Sequence, residues 1–203
     1  GASCCAASPI PLSRTLMRHT SGWLGRQVRG PRVVALTGMR GAGKTTVGRR
    51  LAARRGWRFV DADAEVERRL GASIADLFRG GREADFRAAE AIVTAEVLRT
   101  DRTVVATGGG CVEDPRIRTA LDRAFTVLLD VPVPVLAARV RGSDRPSLTG
   151  ASCDAEVATV LSRRDGLYRS CASAVVPAGS GDPDEVCDAI EFAWRTLPDH
   201  DVR

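Results

Sequence analysis

The stretch Gly38-Met39-Arg40-Gly41-Ala42-Gly43-Lys44-Thr45 decides the fold of this 203-residue chain. It matches the pattern G-x-x-x-x-G-K-[ST], in which glycines let backbone N–H groups turn inward around phosphate oxygens. The lysine supplies a compact cation for the β- and γ-phosphates, and the hydroxyl that follows it is a ligand for Mg²⁺. The pattern predicts a nucleoside triphosphate site, and the competing interpretation is a glycine-rich turn that binds no nucleotide.

The residues around the motif agree with the nucleotide interpretation. Val33–Thr37 is apolar and β-branched, which favours a buried parallel strand, and a helix is predicted from Lys44 to Arg55 with Gly56 ending it. A phosphate then faces the positive end of the helix dipole. The residues expected to bind the nucleotide here are Gly41, Ala42, Gly43, Lys44, Thr45 and Thr46.

The rest of the chain continues the alternation of strand and helix. Further strands are predicted at 57–60, 104–106, 125–129 and 174–176, and further helices at 62–71, 73–79, 83–99, 114–122, 132–141, 154–169 and 184–197. Such alternation predicts an α/β fold, with a five-stranded parallel sheet between two layers of helices. Residues 142–153 contain few core residue types, which favours a short mobile lid over an ordinary surface loop.

Composition limits the class of protein. With 44% hydrophobic and 27% charged residues the chain suits one globular domain, and no apolar window approaches the ~18 residues of a membrane span. The net charge of +5 comes without a nucleic-acid-binding signature, so neither nucleic acid nor membrane is an expected partner. The six cysteines lack metal-binding spacing and are expected to be reduced thiols of a cytoplasmic protein.

The domain is expected to span residues 32–203. Residues 1–31, rich in Ala, Ser and Arg, are interpreted as an N-terminal extension that is disordered or serves as a targeting or tag sequence. Organellar targeting is the alternative to a cytoplasmic location. All but one of the 30 basic residues are arginine, so the position of the single lysine, Lys44, inside the motif indicates that arginine would not serve there.

Two acidic residues follow the second predicted strand. Asp61 and Asp63 would lie at the carboxyl edge of the sheet, where ligands bind in such folds. One of the two suits the Mg²⁺ shell and the other an acceptor hydroxyl, while a plain helix N-cap is the alternative.

Two further features point to the same edge. Arg87 lies on an amphipathic helix with Glu90 one turn later, where an ion pair would orient its guanidinium, although surface pairs of this kind are common. The glycines Gly108, Gly109 and Gly110 directly follow the third strand and permit close backbone approach to a ligand, the alternative being a flexible turn.

Several arginines lie around the predicted lid. Arg145 is inside it, Arg139 precedes it on a helix, and either Arg163 or Arg164 on the next helix is expected to reach the site. An arginine on a loop that closes over a transferring phosphoryl group stabilises its charge.

In this order the motifs resemble those of the shikimate kinases, a family of P-loop small-molecule kinases similar to nucleoside monophosphate kinases, over Val33–Leu197. The resemblance implies transfer of the γ-phosphoryl group of ATP to the 3-hydroxyl of shikimate, in chorismate and aromatic amino acid biosynthesis. It also implies an acceptor-binding insert at about 62–99, a lid at about 142–153, and a monomer whose partners are shikimate and ATP.

The resemblance implies a role for each matched residue. Lys44, Asp63 and Arg145 would be catalytic, and Thr45 with Asp61 would hold Mg²⁺. Arg139 and Arg145 would join the phosphate loop in binding ATP. The residues implied for binding shikimate are Asp63, Arg87, Gly108, Gly109, Gly110 and Arg164.

The chain departs from the family pattern at Ser147, where leucine is usual, and at Gly166, where proline is usual. The change at Ser147 concerns closure of the lid, and the change at Gly166 concerns the orientation of Arg164. Two other functions stay open: a P-loop kinase of another polyol or cyclitol, and a nucleotide-binding regulatory protein without turnover.

Overall fold

A computed structural model describes residues 32–141, 153–179 and 181–196. The predicted N-terminal extension at 1–31 lies outside the described residues. Most of the predicted lid lies outside them as well, together with Arg145 and Ser147.

Five strands and eight helices alternate along the described residues. The strands are β1 (Val33–Thr37), β2 (Arg58–Asp61), β3 (Thr103–Ala106), β4 (Phe125–Asp130) and β5 (Ala174–Pro177). The helices are α1 (Lys44–Arg55), α2 (Ala62–Leu70), α3 (Ile74–Arg79), α4 (Glu83–Val97), α5 (Pro115–Leu121), α6 (Val133–Arg141), α7 (Cys153–Cys171) and α8 (Pro183–Thr196). A 3₁₀ turn that the sequence did not predict spans Cys111–Glu113.

All strand pairs are parallel, and the sheet order is β2-β3-β1-β4-β5. The five-stranded parallel sheet and its helical layers confirm the predicted fold class. Strand β2 begins one residue later than predicted, because the Trp57 N–H donates to Ala52 O at 2.9 Å and so belongs to the end of α1. The Arg58 N–H is the first of this strand to bond across, to Arg102 O at 2.9 Å.

Two hydrophobic clusters cover the two faces of the sheet, as its apolar strands require. One cluster includes Leu36, Phe125 and Trp194. The rings of Phe125 and Trp194 meet edge to face, with their centroids 5.0 Å apart. The other includes Phe86 and Tyr168, which bring α4 and α7 onto the opposite face. With both faces covered, the carboxyl edge of the sheet is the natural place for a ligand.

No helix in the described ranges is long and apolar enough to cross a membrane. Cys111, Cys171 and Cys187 are buried free thiols, in agreement with the expectation of reduced cysteines.

Two helical glycines differ in the space around them, and this difference predicts opposite effects on stability. A Cβ at Gly48 would lie 2.5 Å from Phe59 Cε2 and 3.3 Å from Leu36 Cδ1, whereas one at Gly166 would meet no atom within 4 Å. We expect Gly48→Ala to lower the free energy of unfolding by about 1–3 kcal/mol through overpacking. Gly166→Ala should raise it by about 0.5–1 kcal/mol, since alanine favours the helix. Urea titration followed by circular dichroism measures both, and a neutral Gly48→Ala would contradict this account of α1 packing.

Candidate active site

The phosphate loop between β1 and α1 has the backbone geometry that its glycines predict. Gly41 and Gly43 have φ angles of 82° and 91°, in the left-handed region that other residues rarely adopt. The Ala42 N–H donates to Met39 O at 3.1 Å, which closes the turn. The amide groups at the start of α1 therefore face the cleft.

Lys44 lies over this loop and is largely buried. Its Nζ donates to Gly38 O at 2.8 Å and to Met39 O at 3.0 Å. These contacts hold the ammonium beside the backbone that would surround a phosphate. The position suits the small ammonium group, whose three donors are free of the planar geometry of a guanidinium.

A cleft of about 470 Å³ opens at this edge of the sheet. It contains most of the predicted nucleotide residues and both acidic residues. The predicted residues that line it are Gly41, Ala42, Gly43, Lys44, Thr45, Thr46, Asp61, Asp63, Gly109 and Arg139.

The cleft also contains residues that the sequence reasoning missed. Thr107 lies between β3 and the glycine triplet, and Gly181, Asp182 and Pro183 form the start of α8 at the far end. A signal for the second group was present, because Gly-Asp-Pro is a turn sequence that follows the last strand at the same sheet edge.

Thr45 and Asp61 meet beside the phosphate loop. Thr45 Oγ1 donates to Asp61 Oδ2 at 2.8 Å, while Asp61 Oδ1 accepts from the Ala64 N–H at 3.4 Å. Asp61 is therefore both a helix N-cap and a neighbour of the nucleotide loop, so the two interpretations of this residue hold together. A hydroxyl and a carboxylate are ligands that Mg²⁺ prefers beside phosphate oxygens.

Within the described residues no cluster of three His, Cys, Asp or Glu side chains could hold a metal alone. At phosphoryl-transfer sites in general, Mg²⁺ is bound by one or two protein carboxylates together with the substrate's phosphates.

Asp63 and Glu90 approach each other at Gly108. A Cβ on Gly108 would lie 2.6 Å from Asp63 Oδ1 and closer still to Glu90 Oε1. A side chain at this position would therefore force the Asp63 and Glu90 carboxylates to move. Glu90 is only 2% exposed, and this burial raises its pKa above the ordinary value, an effect that Arg87 opposes and the charge of Asp63 reinforces.

Arg87 is held by two carboxylates of its own helix. Its Nη1 donates to Glu90 Oε2 at 2.9 Å and its Nη2 to Glu83 Oε1 at 3.3 Å. The ion pair expected between Arg87 and Glu90 is present, and the burial of Glu90 distinguishes it from a routine surface pair.

Arg164 reaches from α7 to the same place. Its Nη1 donates to Gly109 O at 3.2 Å and its Nη2 to Glu113 Oε2 at 2.9 Å. A Cβ on Gly110 would lie 3.0 Å from Arg87 Nη1 and 3.4 Å from Arg164 Nη2, so the two guanidinium groups converge over this glycine. The neighbouring Arg163 is largely exposed and only approaches the other oxygen of Glu113, with its Nη2 at 3.9 Å from Oε1.

Tyr168 is a further residue to which the sequence analysis gave no role. Its hydroxyl donates to Gly109 O, and burial raises its pKa. This contact fixes α7 against the glycine triplet one turn after Arg164.

Arg139 lies at the rim of the cleft, where its Nη1 donates to Gly41 O at 3.2 Å and its Nη2 to Ala178 O at 3.5 Å. It therefore spans from the phosphate loop to the segment after β5. Arg145, predicted to close over the phosphates, lies outside the described residues.

The fold and this edge define a class of protein. A phosphate loop between the central strand and its helix adjoins a compartment with a carboxylate and two converging guanidinium groups, as expected of a P-loop kinase with a small anionic acceptor.

The comparisons identify the family within that class. The family profile described as "Shikimate kinase" matches residues 40–193, and the chain belongs to the shikimate kinase family. A shikimate kinase of Halorhodospira halophila is 42% identical over 172 residues, covering 84% of this chain and 97% of the relative. One of Aromatoleum aromaticum is 40% identical over 167 residues, covering 81% and 95%.

A solved structure supports the assignment. Shikimate kinase from Acinetobacter baumannii in complex with shikimate superimposes with a TM-score of 0.77 at 34% identity. The match covers 83% of this chain and 96% of that chain.

Replacement of the single lysine by arginine tests the phosphate loop. In Lys44→Arg the planar guanidinium cannot reproduce the two contacts of Nζ, so we expect ATP affinity to fall at least about tenfold. Titration with a fluorescent ATP analogue measures the dissociation constant. Arg49→Lys, an opposite exchange on the exposed side of α1, is the matched control, and equal affinity in Lys44→Arg would contradict the role of the ammonium.

A methyl group on Gly108 tests the acceptor side. We expect Gly108→Ala to displace Asp63 and to lower kcat about a hundredfold, since a shift of about 1 Å at a reacting group has effects of this size. Steady-state ADP release measures kcat, and the ATP dissociation constant should stay within about twofold. Gly166→Ala adds the same methyl in open space, and equal losses in both variants would contradict the local explanation.

Proposed function

We propose that the chain transfers the γ-phosphoryl group of ATP to the 3-hydroxyl of shikimate and so forms shikimate 3-phosphate for aromatic amino acid biosynthesis. The observation that carries this proposal is the convergence of Arg87 and Arg164 over Gly110, beside Asp63. The acceptor compartment thus offers two cationic forks and a carboxylate next to the nucleotide cleft. Shikimate has a planar carboxylate and a ring of hydroxyl groups, which are complementary to these features.

The carboxylate of the acceptor is expected to bind between Arg87 and Arg164. Guanidinium groups match carboxylates through paired N–H donors, in a geometry that an ammonium cannot provide. Because Gly108 and Gly110 carry no side chains, Asp63, Arg87 and Arg164 can approach the backbone closely at the place proposed for the acceptor.

Asp63 is the proposed group that accepts from the ring hydroxyls and orients or deprotonates the attacking oxygen. It lines the cleft that contains Lys44, so acceptor and nucleotide would share one compartment. Phosphoryl transfer needs mainly positioning and stabilisation of charge, which Asp63, Lys44 and the amides of the phosphate loop would supply.

Mg²⁺ would be held by Thr45 and Asp61, whose oxygens already meet beside the phosphate loop. The ion neutralises the charge that develops on the phosphate oxygens when it is bound with ATP. Asp61 keeps its place as the N-cap of α2, which ties this ligand to the helix that carries Asp63.

We extend the proposal to the organisation of the chain. Residues 62–99 form the acceptor-binding insert and include α2, α3 and α4, while 142–153 is the lid that carries Arg145 to the phosphates. Arg139 lies against the adenine. Residues 32–203 are the kinase domain and 1–31 an extension, and the protein acts as a cytoplasmic monomer.

A cyclitol kinase is the nearest alternative. Both arginines already have partners, because Arg87 pairs with Glu90 and Arg164 with Glu113. A neutral ring placed between them would nevertheless bring no negative charge to offset the repulsion of two converging cations, whereas a carboxylate would.

A coupled ADP-release assay with Mg²⁺ and ATP tests the proposal, with shikimate, quinate and a carboxylate-free cyclitol as acceptors. We expect turnover with shikimate only, and a loss of about a hundredfold in kcat/KM in Arg87→Ala through the lost charged hydrogen bonds. Arg123→Ala removes an exposed arginine outside the site and serves as the control.

Two outcomes would contradict the proposal in different ways. Turnover of the cyclitol but not of shikimate would keep the kinase and reject the acceptor. ATP binding without ADP release with any acceptor would favour a nucleotide-binding regulatory protein.

A further inference from the structure

We propose that Glu113 is a positioning residue for Arg164, which it holds in the orientation that binds the acceptor's carboxylate. The inference rests on the proposed function and adds a residue that the motifs do not contain. Its basis is the contact between Arg164 Nη2 and Glu113 Oε2 at 2.9 Å, at the nitrogen that faces Gly110.

Two guanidinium groups that converge on one point repel each other until an anion binds between them. Arg87 is neutralised by Glu90 at 2.9 Å and Glu83 at 3.3 Å. For Arg164 the near carboxylate is that of Glu113 at 2.9 Å, whose other oxygen lies 3.9 Å from Nη2 of the more exposed Arg163. Each cation of the pair therefore has its own carboxylate, and removing the one beside Arg164 leaves this side chain free to turn away from Arg87.

The position of Glu113 follows from the loop that also forms the acceptor floor. It is the last residue of the 3₁₀ turn after Gly110, and its N–H donates to Gly110 O at 3.0 Å. Arg118 Nη1 secures the turn by donating to Val112 O at 2.7 Å and to Glu113 O at 3.0 Å. One short segment thus presents both the Gly109 carbonyl and the Glu113 carboxylate to Arg164.

These two contacts leave other N–H donors of the Arg164 guanidinium available. Arginine has five N–H donors, of which Gly109 O accepts one from Nη1 and Glu113 one from Nη2. The remaining hydrogens of the two terminal nitrogens allow the acceptor to bind while Glu113 stays in place.

The opposite role for Glu113 is that of a competitor, whose carboxylate would repel or replace the acceptor's. Exposure decides between the two. The Glu113 side chain is 36% exposed, so solvent screens its repulsion of a second anion, whereas the Arg164 side chain is only 13% exposed. The orienting effect on Arg164 therefore outweighs the repulsion, and loss of Glu113 should weaken acceptor binding.

Steady-state kinetics of Glu113→Ala and Glu113→Gln test the inference, with shikimate and ATP varied separately. We expect Glu113→Ala to raise the KM for shikimate about fivefold, the size of a partly exposed ion pair, with kcat and the KM for ATP within about twofold. In Glu113→Gln the amide oxygen still accepts from Nη2, so most of the affinity should return. Asp188→Ala, which removes a surface carboxylate paired with Arg54, is the matched control.

A double variant separates positioning from a general effect of charge. In an Arg164→Ala background the further change Glu113→Ala should leave the KM for shikimate unchanged, because the residue it positions is gone. A lower KM in the single variant Glu113→Ala would overturn the inference in favour of the competitor role. An unchanged KM would reduce the contact to a surface pair.

The two proposals fail in distinguishable ways. If the unmodified protein turns over shikimate and Glu113→Ala has the same kinetic constants, only the role of Glu113 is rejected. Unmodified protein without turnover of shikimate rejects the proposed function and this inference together.

Discussion

The pairing between the carboxyl ends of β1 and β3 is the constraint on which the rest of the site depends. Leu36, the penultimate residue of β1, accepts through its carbonyl oxygen from both the N–H and the Oγ1 of Thr107, the residue directly after β3, each at 3.1 Å. This double contact fixes the point from which the phosphate loop leaves β1 and the glycine triplet leaves β3. Because the two loops start side by side, nucleotide and acceptor can share one compartment.

Groups from α2, α4, α7 and the phosphate loop meet at the glycine triplet. Gly108 is crowded by the carboxylates of Asp63 and Glu90, Gly109 by the backbone of Arg40, and Gly110 by the guanidinium groups of Arg87 and Arg164. A side chain at any of the three would displace a group of the candidate site. The triplet is thus a closely packed floor, which distinguishes it from the flexible turn that the same sequence also permits.

The charges around this floor are balanced in pairs before any ligand binds. Arg40 donates to the nearly buried Glu156 at the start of α7, Arg87 to Glu90, and Arg164 to Glu113. Burying such charges costs free energy unless each is paired, and the pairing also fixes the direction in which each guanidinium points. Preorganised cations need little rearrangement when an anionic substrate arrives, which is the condition for effective stabilisation of a developing charge.

Sequence reasoning reached the sheet, its parallel pairing and the phosphate loop because these follow from local patterns. The β-branched run of β1 and the motif after it depend only on neighbouring residues. The one-residue shift of β2 arose from the backbone hydrogen bond of the Trp57 N–H to Ala52 O, which extends the end of α1. The convergence of Arg87 with Arg164 rested on the resemblance, since no local pattern relates residues of α4 and α7. Glu113 and Tyr168 received no role from the sequence because their importance comes from a turn and a packing contact that only the folded chain brings to Gly109.

The choice between lysine and arginine follows the geometry of each ligand group. At Lys44 a single nitrogen must face two carbonyl groups at 2.8 and 3.0 Å in a largely buried space and still reach a phosphate. Only a small charge with three divergent donors satisfies that arrangement. Over Gly110 the requirement is reversed, because a planar acceptor group is matched by planar forks that approach from two helices. In a chain that otherwise uses arginine for every basic position, the one exception therefore lies where a guanidinium has the wrong shape.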